Sequence, residues 1–269
     1  MNNITARYLN KLDINPDQSP LELLYALAQK HLATFSFNNL DVLLNPGDIL
    51  SLETDDLADK IIDRGRGGYC FEHNKLMFHV LEELGFETSA QLARVIYNRE
   101  GDFPRTHRVS IVNISNDIYL LDVGFGPYTP SAPISLSGQE VYCPNGERYR
   151  IQQNQDGHYQ LELFKDGAFF ILYRFELANY TDADFKMANF YTNCHPASKF
   201  VNELVISLKG ADNTTFMAQN TLTTVHDGHR HDQTIESEQG LKIQLETLFD
   251  IDLNKEELTK IYKVIRPTG

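Results

Sequence analysis

Apolar residues recur at helical spacing near the start of the chain. Leu21, Leu24 and Leu27 fall on one face of a predicted helix. Ser19 and Glu22 supply its start signal, because a serine followed three residues later by a glutamate satisfies N–H groups that the first turn leaves free. The pattern therefore predicts a helix that begins just after Ser19.

Two further helices are predicted before residue 86. Thr54 opens the first, whose apolar stripe includes Ile61 and which should end near Gly65. Cys70 opens the second, which should end at Gly85, a residue suited to the left-handed conformation that terminates many helices. The first third of the chain is thus predicted to be helical.

The pattern changes to strands after Gly85. Segments rich in β-branched and aromatic residues alternate with turn signals such as Asn116-Asp117 and Asp156-Gly157. The predicted strands cover residues 91–97, 108–114, 118–123, 149–153, 159–164 and 169–175. Short consecutive strands of this kind predict an antiparallel barrel or a strongly twisted sheet.

The last part of the chain mixes both kinds of element. We expect a helix over residues 182–191, strands over 201–208 and 215–225, and two late helices, the last of them capped by Asn254 and Glu257. This order of helices, strands and further mixed elements predicts an α+β protein with closely packed lobes.

The charge balance limits the partners of the chain. Its 269 residues carry a formal net charge of -13, which repels phosphate backbones and anionic membrane surfaces, and no run of Lys or Arg offsets it. The N-terminal sequence lacks the basic and apolar regions of a signal peptide, and no stretch has the length of a membrane span. We therefore expect a cytoplasmic protein that binds neither nucleic acid nor membranes.

The three cysteines, Cys70, Cys143 and Cys194, are too few to form a disulfide framework in a chain of this length. Cys70 stands apart because it follows Gly67-Gly68 at the predicted start of a helix. Cys143 lies beside a turn and Cys194 has no glycine-rich loop, so a structural role is favoured for both.

The position of Cys70 favours nucleophilic chemistry. Backbone N–H groups and the positive end of the helix dipole stabilise a thiolate, which predicts a lowered pKa for the thiol. The glycines before it let a substrate carbonyl approach the backbone, whose N–H groups can stabilise a developing oxyanion. A buried and inert cysteine beside an ordinary helix start is the alternative that composition leaves open.

A nucleophilic cysteine needs a base and a third group that orients the base. His107 opens one predicted strand and Asp122 closes the next, where an acid within an apolar strand needs a partner. Cys70, His107 and Asp122 are therefore the predicted catalytic residues. The hairpin register leaves their contact open: a turn centred on Asn116 pairs His107 with Phe125, and direct opposition to Asp122 needs a turn centred between residues 114 and 115.

The residues around this triad resemble those of the arylamine N-acetyltransferase family. The family's R-G-G-x-C-x-E signature is matched by Arg66-Gly67-Gly68-Tyr69-Cys70-Phe71-Glu72, and its following asparagine by Asn74. The family's histidine and D-V-G-F-G block are matched, in order and spacing, by His107 and Asp122-Val123-Gly124-Phe125-Gly126. The similarity covers most of the chain and thins beyond about Phe200.

Three positions depart from the family pattern. Ser36 and Asn38 replace the usual Pro and Glu on either side of Phe37, and His73 stands where the family usually has Leu. These departures affect the expected shape of the pocket and leave the triad unchanged.

The resemblance implies a three-lobed fold. A helical lobe over residues 1–86 would carry the cysteine, an antiparallel β-barrel lobe over 87–192 would carry the histidine and the aspartate, and an α/β lid would cover 193–269. The first two lobes resemble papain-like cysteine enzymes.

The resemblance also implies an activity. It is acetyl-CoA-dependent N-acetylation of arylamines, arylhydrazines or N-hydroxyarylamines through an acetyl-cysteine, with acetyl-CoA as the acyl donor and without a metal. Phe37, Val95 and Phe125 are the expected walls of an acceptor slot, and Gly124 and Gly126 are expected to admit the pantetheine arm. Core packing for the first three and an ordinary turn for the glycines are the alternatives.

Other functions are compatible with the same residues. A transglutaminase-like cysteine hydrolase or an amide synthase can use this triad, and a non-catalytic relative can keep the fold. His226, His229 and His231 raise a metal-binding alternative, which is disfavoured because Asp227-Gly228 between them is typical of a hairpin turn. The sequence gives neither the preferred amine nor the oligomeric state.

Overall fold

The computed structural model describes residues 3–265 and confirms the α+β class. Its first part is helical, as the apolar spacing predicts. The elements are, in chain order, helices α1 (Asn3–Leu12) and α2 (Pro20–Thr34), strand β1 (Phe37–Asn38), and helices α3 (Leu40–Leu44), α4 (Thr54–Leu57) and α5 (Cys70–Glu83). Helix α4 continues as a π-helical segment, Ala58–Asp63.

Local hydrogen bonds cap two of these helices, the first of them at the start signal predicted from Ser19 and Glu22. Helix α2 begins directly after Ser19, whose backbone N–H donates to the Glu22 carboxylate at 3.3 Å. Helix α5 begins at Cys70, and the N–H of Tyr69 donates to the Glu72 carboxylate at 3.0 Å. These local bonds satisfy N–H groups that a helix start leaves free. The candidate nucleophile is therefore the first residue of a capped helix.

The middle of the chain forms an eight-stranded antiparallel sheet. Its strands are β2 (Glu87–Val95), β3 (Arg105–Ile114), β4 (Asp117–Leu121), β5 (Ile134–Ser135), β6 (Val141–Tyr142), β7 (Arg148–Gln153), β8 (Tyr159–Lys165) and β9 (Ala168–Phe175). Their order across the sheet is β5-β4-β3-β2-β9-β8-β7-β6, and β5 also contacts β7. The sheet therefore curls into a nearly closed barrel, as predicted.

The last part of the chain adds a second sheet and further helices. In chain order its elements are α6 (Asp182–Cys194), α7 (Lys199–Asn202), β10 (Val205–Lys209), β11 (Asn213–Ala218), β12 (Thr221–His226), β13 (His229–Thr234), α8 (Glu238–Phe249) and α9 (Lys255–Ile265). The strands form an antiparallel sheet with β1, in the order β1-β10-β11-β12-β13.

Two strand predictions in this part are wrong in extent. The strand expected over 201–208 begins only at Val205, because Ser198 caps the short helix α7 before it. The strand expected over 215–225 is the hairpin of β11 and β12, which reverses at Gln219 with a φ of 54°. A positive φ at a residue other than glycine is rare and leaves no mark in an apolar-polar pattern.

Strand β1 joins the first and last parts of the chain. Phe37 pairs with Ser207 and Asn38 with Ile206, so residues of the expected helical lobe belong to the sheet of the expected lid. Helix α6 runs across the expected boundary at residue 192. The division into ranges 1–86, 87–192 and 193–269 stays a prediction.

The helical part packs directly against the barrel. Leu76, Met77 and Val80 of α5 share an apolar cluster with Val112 of β3 and Leu121 of β4. Full burial of each such side chain contributes about 2 kcal/mol. A separate cluster fills the barrel, and another joins α8 and α9 to the second sheet. Helix α5 is therefore held against the two strands that lead to the predicted base and acid.

Two buried histidines link three helices. The hydroxyl of Tyr8 in α1 lies 2.6 Å from Nδ1 of His31 in α2, and Nε2 of His31 lies 2.8 Å from Nδ1 of His73 in α5. Nε2 of His73 lies 3.1 Å from the carbonyl oxygen of Ser36. Burial lowers the pKa of His73 to about 4 and brings the pKa of His31 well below its ordinary value. Both rings are therefore neutral at neutral pH.

The buried imidazoles of His31 and His73 should make the free energy of unfolding fall in acid. An unfolded histidine protonates near pH 6.5, whereas His73 in the fold protonates near pH 4. The unfolded chain binds more protons between these values, so the contribution of His73 is complete above about pH 6.5 and is lost as the pH falls toward 4. In urea titrations, the loss of unfolding free energy between about pH 7 and about pH 4.5 should be smaller in His73→Leu than in wild type by on the order of 2 kcal/mol. Equal losses in the two proteins contradict this account.

Candidate active site

Cys70 borders a cavity of about 820 Å³. The residue is buried, with 3% of its surface exposed, and its Sγ donates to the carbonyl oxygen of Thr106 at 3.7 Å. Thr106 directly precedes His107, which borders the same cavity. The structure therefore brings the predicted nucleophile and the predicted base together at one cavity.

A buried charge cluster fixes the start of α5. The Glu72 carboxylate pairs with Lys60 at 2.7 Å, and Lys60 also pairs with Asp41 of α3 at 2.7 Å. Arg66, in the glycine loop, pairs with Asp41 at 3.1 Å and with Glu257 of α9 at 3.3 Å. Removing one partner of such a buried pair is costly, because it leaves an uncompensated charge. The loop before the cysteine is thus held to α3 and α9.

His107 and Asp122 form a direct hydrogen bond, but both registers expected from the sequence are wrong. The ladder between β3 and β4 ends with Ser110 opposite Leu121. Strand β4 stops at Leu121, and the Asp122 carboxylate reaches back to His107, whose Nε2 donates to Oδ2 at 2.7 Å. The end of the strand, rather than cross-strand opposition, brings the two side chains together.

Asp122 accepts four hydrogen bonds in a buried site. Its Oδ1 accepts from Nδ2 of Asn74 and from the N–H of Gly124, each at 2.9 Å. Its Oδ2 accepts from His107 and from the hydroxyl of Tyr173 at 2.9 Å. Burial acts to raise the pKa of the carboxyl, but the interactions with His107, Asn74 and Gly124 outweigh it and hold the pKa below its ordinary value. The acid is therefore ionised at neutral pH.

Asn74 and Tyr173 are site residues that the sequence did not assign. Asn74 also donates to the carbonyl of Arg108 at 2.7 Å and accepts from the N–H of Val123 at 3.0 Å. Its position one helical turn after Cys70 was an available signal, because a polar residue there faces the same side of the helix. Tyr173 had no local signal, since its contact depends on how β9 packs within the barrel.

Burial of Cys70 opposes the predicted thiolate. Burial raises the pKa of the thiol and the charge of Asp122 raises it further, although the N–H of Phe71 at the helix start acts to lower it. The expectation of a lowered pKa is therefore wrong. Because Nε2 of His107 donates to the carboxylate, Nδ1 is the nitrogen that can take a proton. Transfer of the thiol proton to this nitrogen would leave the two side chains without net charge, so burial opposes it less than it opposes an isolated thiolate.

The five residues expected to line the pocket all border the cavity. They are Phe37, Val95, Gly124, Phe125 and Gly126. The ring of Phe125 stands edge-on to the imidazole of His107, with ring centroids 4.9 Å apart. Their contacts with an aromatic acceptor or a coenzyme stay predictions.

The fold itself favours glycine at positions 124 and 126. A Cβ at Gly124 would lie 3.0 Å from Cα of Cys70 and 2.8 Å from Nδ2 of Asn74. Gly126 has a φ of 71°, and a Cβ there would lie 3.5 Å from the ring of Phe37. Glycine is required at the first position by close approach and favoured at the second by its backbone conformation. Both constraints exist without any pantetheine arm.

Further side chains extend the cavity beyond the predicted ones. Tyr97 contacts the rings of Phe125 and Tyr128, with centroids 5.6 and 6.4 Å away. Arg99 and Lys199 add cationic groups to the lining. Strand alternation alone does not show which face of a barrel meets a cavity, so the sequence did not single out these residues.

The hairpin of β12 and β13 carries the histidines of the metal-binding alternative. Within residues 3–265, no group of three or more His, Cys, Asp or Glu side chains is arranged to hold a metal ion. His226 and His229 face each other across the turn between β12 and β13, as the Asp227-Gly228 signal predicts.

Over residues 3–265, no helix combines the length and the apolar character that crossing a bilayer requires.

The chain is similar to known acyltransferases in sequence and in structure. A family model described as N-acetyltransferase matches residues 20–258. The arylamine N-acetyltransferase of Mycobacterium tuberculosis is 38% identical over 208 residues, which cover 75% of this chain and 72% of that protein. The arylamine N-acetyltransferase / N-hydroxyarylamine O-acetyltransferase of Salmonella typhimurium is 33% identical over 230 residues, or 84% of this chain and 80% of that protein. The structure of Mycobacterium marinum arylamine N-acetyltransferase in complex with CoA aligns with a TM-score of 0.89 at 29% identity, covering 97% of this chain and 99% of that one.

These matches define the class of the protein as an N-acetyltransferase. More narrowly, the chain belongs to the arylamine N-acetyltransferase family and is an enzyme of that family. The resemblance seen in the sequence motifs is thereby confirmed.

Replacing His107 should make Cys70 unreactive. In His107→Gln no imidazole takes the thiol proton, and burial keeps the pKa of the thiol raised. We expect alkylation of Cys70 by iodoacetamide at about pH 7.5 to slow by roughly a hundredfold and to recover only in strongly alkaline solution, because the thiolate is the reactive species. Mass spectrometry of the cysteine peptides measures each site. The partly exposed Cys194 is the internal control and should react as in wild type; unchanged alkylation of Cys70 would show that the imidazole is not its base.

Removing the Asn74 side chain should destabilise the fold. Asn74→Ala deletes two donors and one acceptor that serve buried groups of Asp122, Arg108 and Val123. Because each buried group left unsatisfied costs about 1–3 kcal/mol, we expect the free energy of unfolding in urea to fall by about 3 kcal/mol. Asn10→Ala, at an exposed position of α1, is the matched control and should change it by less than about 0.5 kcal/mol. A loss as small as that of the control would show that these three hydrogen bonds contribute little to stability.

Proposed function

We propose that this enzyme transfers an acetyl group from acetyl-CoA to a primary arylamine, arylhydrazine or N-hydroxyarylamine through an acetyl thioester on Cys70. The observation that carries the proposal is the buried hydrogen bond between His107 and an ionised Asp122, at the cavity that Cys70 also borders. The relative crystallised with CoA supports the choice of donor. The name of the Salmonella enzyme, an arylamine N-acetyltransferase / N-hydroxyarylamine O-acetyltransferase, supports the arylamine and N-hydroxyarylamine acceptors.

The first half-reaction acetylates the enzyme. The thiol of Cys70 turns away from the carbonyl of Thr106 and passes its proton to Nδ1 of His107. The sulfur attacks the carbonyl carbon of the acetyl thioester, so that a new C–S bond forms while the bond to the CoA sulfur breaks. The leaving sulfur takes the proton from the imidazolium, and CoA departs as a thiol.

The second half-reaction passes the acetyl group to the amine. The amine nitrogen attacks the acetyl carbon on Cys70 and loses a proton to His107. The bond between carbon and the Cys70 sulfur then breaks, the sulfur recovers the proton, and the N-acetylated product leaves. Asp122 stabilises the imidazolium in both steps, because its carboxylate stays ionised and bonded to the ring.

The lining of the cavity favours an aromatic acceptor. Phe37, Phe125 and Tyr97 present rings to it, and apolar walls with a few polar groups are typical of sites for small aromatic molecules. A transglutaminase-like hydrolase or an amide synthase with the same triad is the alternative. Water as the acceptor would gain nothing from these rings, which is the reason for preferring amine transfer.

Mass spectrometry of the intact protein tests the proposal. With acetyl-CoA alone, wild type should gain one acetyl group, about 42 Da, on Cys70 and release CoA. Cys70→Ser should gain none, and Cys143→Ser should behave as wild type, because Cys143 does not border the cavity. Adding an aromatic amine should remove the adduct and yield the acetylated amine. Failure of wild type to form the adduct rules out the proposed mechanism. Loss of the adduct in water alone, at the rate seen with the amine present, supports a hydrolase.

A further inference from the structure

The buried histidine row consists of Tyr8, His31, His73 and the carbonyl of Ser36. Only one placement of hydrogens satisfies all of its hydrogen bonds. The carbonyl oxygen of Ser36 can only accept, so Nε2 of His73, 3.1 Å away, carries a hydrogen. Nδ1 of the neutral His73 then accepts from Nε2 of His31 at 2.8 Å. Nδ1 of His31 in turn accepts from the hydroxyl of Tyr8 at 2.6 Å. Every bond runs in one direction, from α1 through α2 and α5 to the carbonyl of Ser36.

Burial keeps this row complete. Tyr8, His31 and His73 are fully buried and Ser36 nearly so. A buried donor or acceptor that loses its partner costs about 1–3 kcal/mol, so no member can turn away without penalty. The rings of His31 and His73 also pack edge to face, with centroids 4.9 Å apart. The orientation of the His73 ring on α5 is therefore fixed.

The row ends at the segment that carries Phe37. The carbonyl of Ser36 also accepts from the N–H of Gly68 at 3.3 Å, and the N–H of Asn38 donates to the carbonyl of Gly68 at 2.6 Å. The ring of His73 lies nearly parallel to the ring of Phe37, with centroids 6.4 Å apart and planes 19° apart. His73 thus holds both the backbone before Phe37 and one side of its ring, while Phe37 itself borders the cavity.

We propose that His73 is a positioning residue for the amine acceptor, an inference that rests on the proposed function. Three residues after Cys70 on the same helix, it sets where the Phe37 ring stands relative to the sulfur. Phe37 is a proposed contact of the aromatic acceptor, whereas acetylation of the enzyme depends on the sulfur and on His107. A shift of the ring therefore slows transfer to the amine, because misplacement of a bound reactant by about 1 Å costs up to a hundredfold in rate. It spares acetylation of the enzyme, which depends on the sulfur and on His107.

The two half-reactions of His73→Leu separate these effects. Mixing with acetyl-CoA alone gives the rate of CoA release in the first turnover, and mixing isolated acetyl-enzyme with aniline gives the rate of deacetylation. We expect CoA release within about twofold of wild type, aniline-dependent deacetylation slowed by roughly tenfold, and a raised KM for aniline. Deacetylation by hydrazine, which has no ring, should change by less than about twofold.

Two variants control for a general loss of structure. His79→Leu makes the same substitution at a partly exposed position of the same helix and should leave both half-reactions unchanged. His73→Gln keeps an N–H donor for the carbonyl of Ser36 and should recover part of the aniline rate. Because glutamine remains polar, this variant also tests the proposal if His73→Leu does not fold.

The outcomes separate this inference from the proposed function. Equal slowing of both half-reactions, equal slowing with aniline and hydrazine, or no slowing at all overturns the positioning role. Failure of wild type to form acetyl-enzyme would instead remove the proposed function. Long-range proton–nitrogen NMR should find hydrogens on Nε2 of both His31 and His73, and a hydrogen on Nδ1 of His73 would overturn the row itself.

Discussion

The arrangement of helix and barrel depends on one buried carboxylate. Asp122 is ionised among apolar side chains, a state that costs several kcal/mol unless the charge is fully hydrogen-bonded. Its donors come from α5, β3, β9 and its own loop. These segments must therefore meet in one arrangement for the charge to be tolerated. Because one donor is the imidazole of His107, the constraint that joins the two parts of the fold also orients the proposed base.

The same carboxylate contributes, after burial, to the resting state of the cysteine. Burial raises the pKa of the Cys70 thiol and the charge of Asp122 raises it further, so the resting sulfur is protonated. A neutral thiol is less open to oxidation than a standing thiolate. The role of Cys70 as the nucleophile stays a prediction of the sequence, whereas the predicted direction of its pKa is wrong. The helix start is a local feature, whereas desolvation depends on the barrel and loops that pack over it.

Other parts of the structure also separate into features that a local pattern predicts and features that depend on contacts between distant segments. Ser19 with Glu22, and the glycine loop before Cys70, are short-range signals, and the helices they predict are present. Six of the eight barrel strands were predicted because each is rich in β-branched and aromatic residues, whereas the two-residue strands β5 and β6 were not predicted. The contact of Tyr173 with Asp122 and the pairing of β1 with β10 join segments far apart in the chain, and no local pattern encodes them. The residue at which β4 ends determines how the Asp122 carboxylate reaches His107, and strand ends are the least predictable part of such patterns.

The cavity wall differs from the triad in how it is held. Phe37 is fixed by pairing with β10, by the bridge to the glycine loop and by His73, so a change far from the cavity can move it while the triad stays intact. The three departures from the family pattern lie together at this point. His73 bonds the carbonyl of Ser36, and the Asn38 amide donates to the Ser36 hydroxyl at 3.2 Å and to the carbonyl of Arg66 at 2.9 Å. Of the three, only Ser36 and Asn38 are joined through their side chains, because the bond from His73 ends on the backbone carbonyl of residue 36, which every residue type supplies.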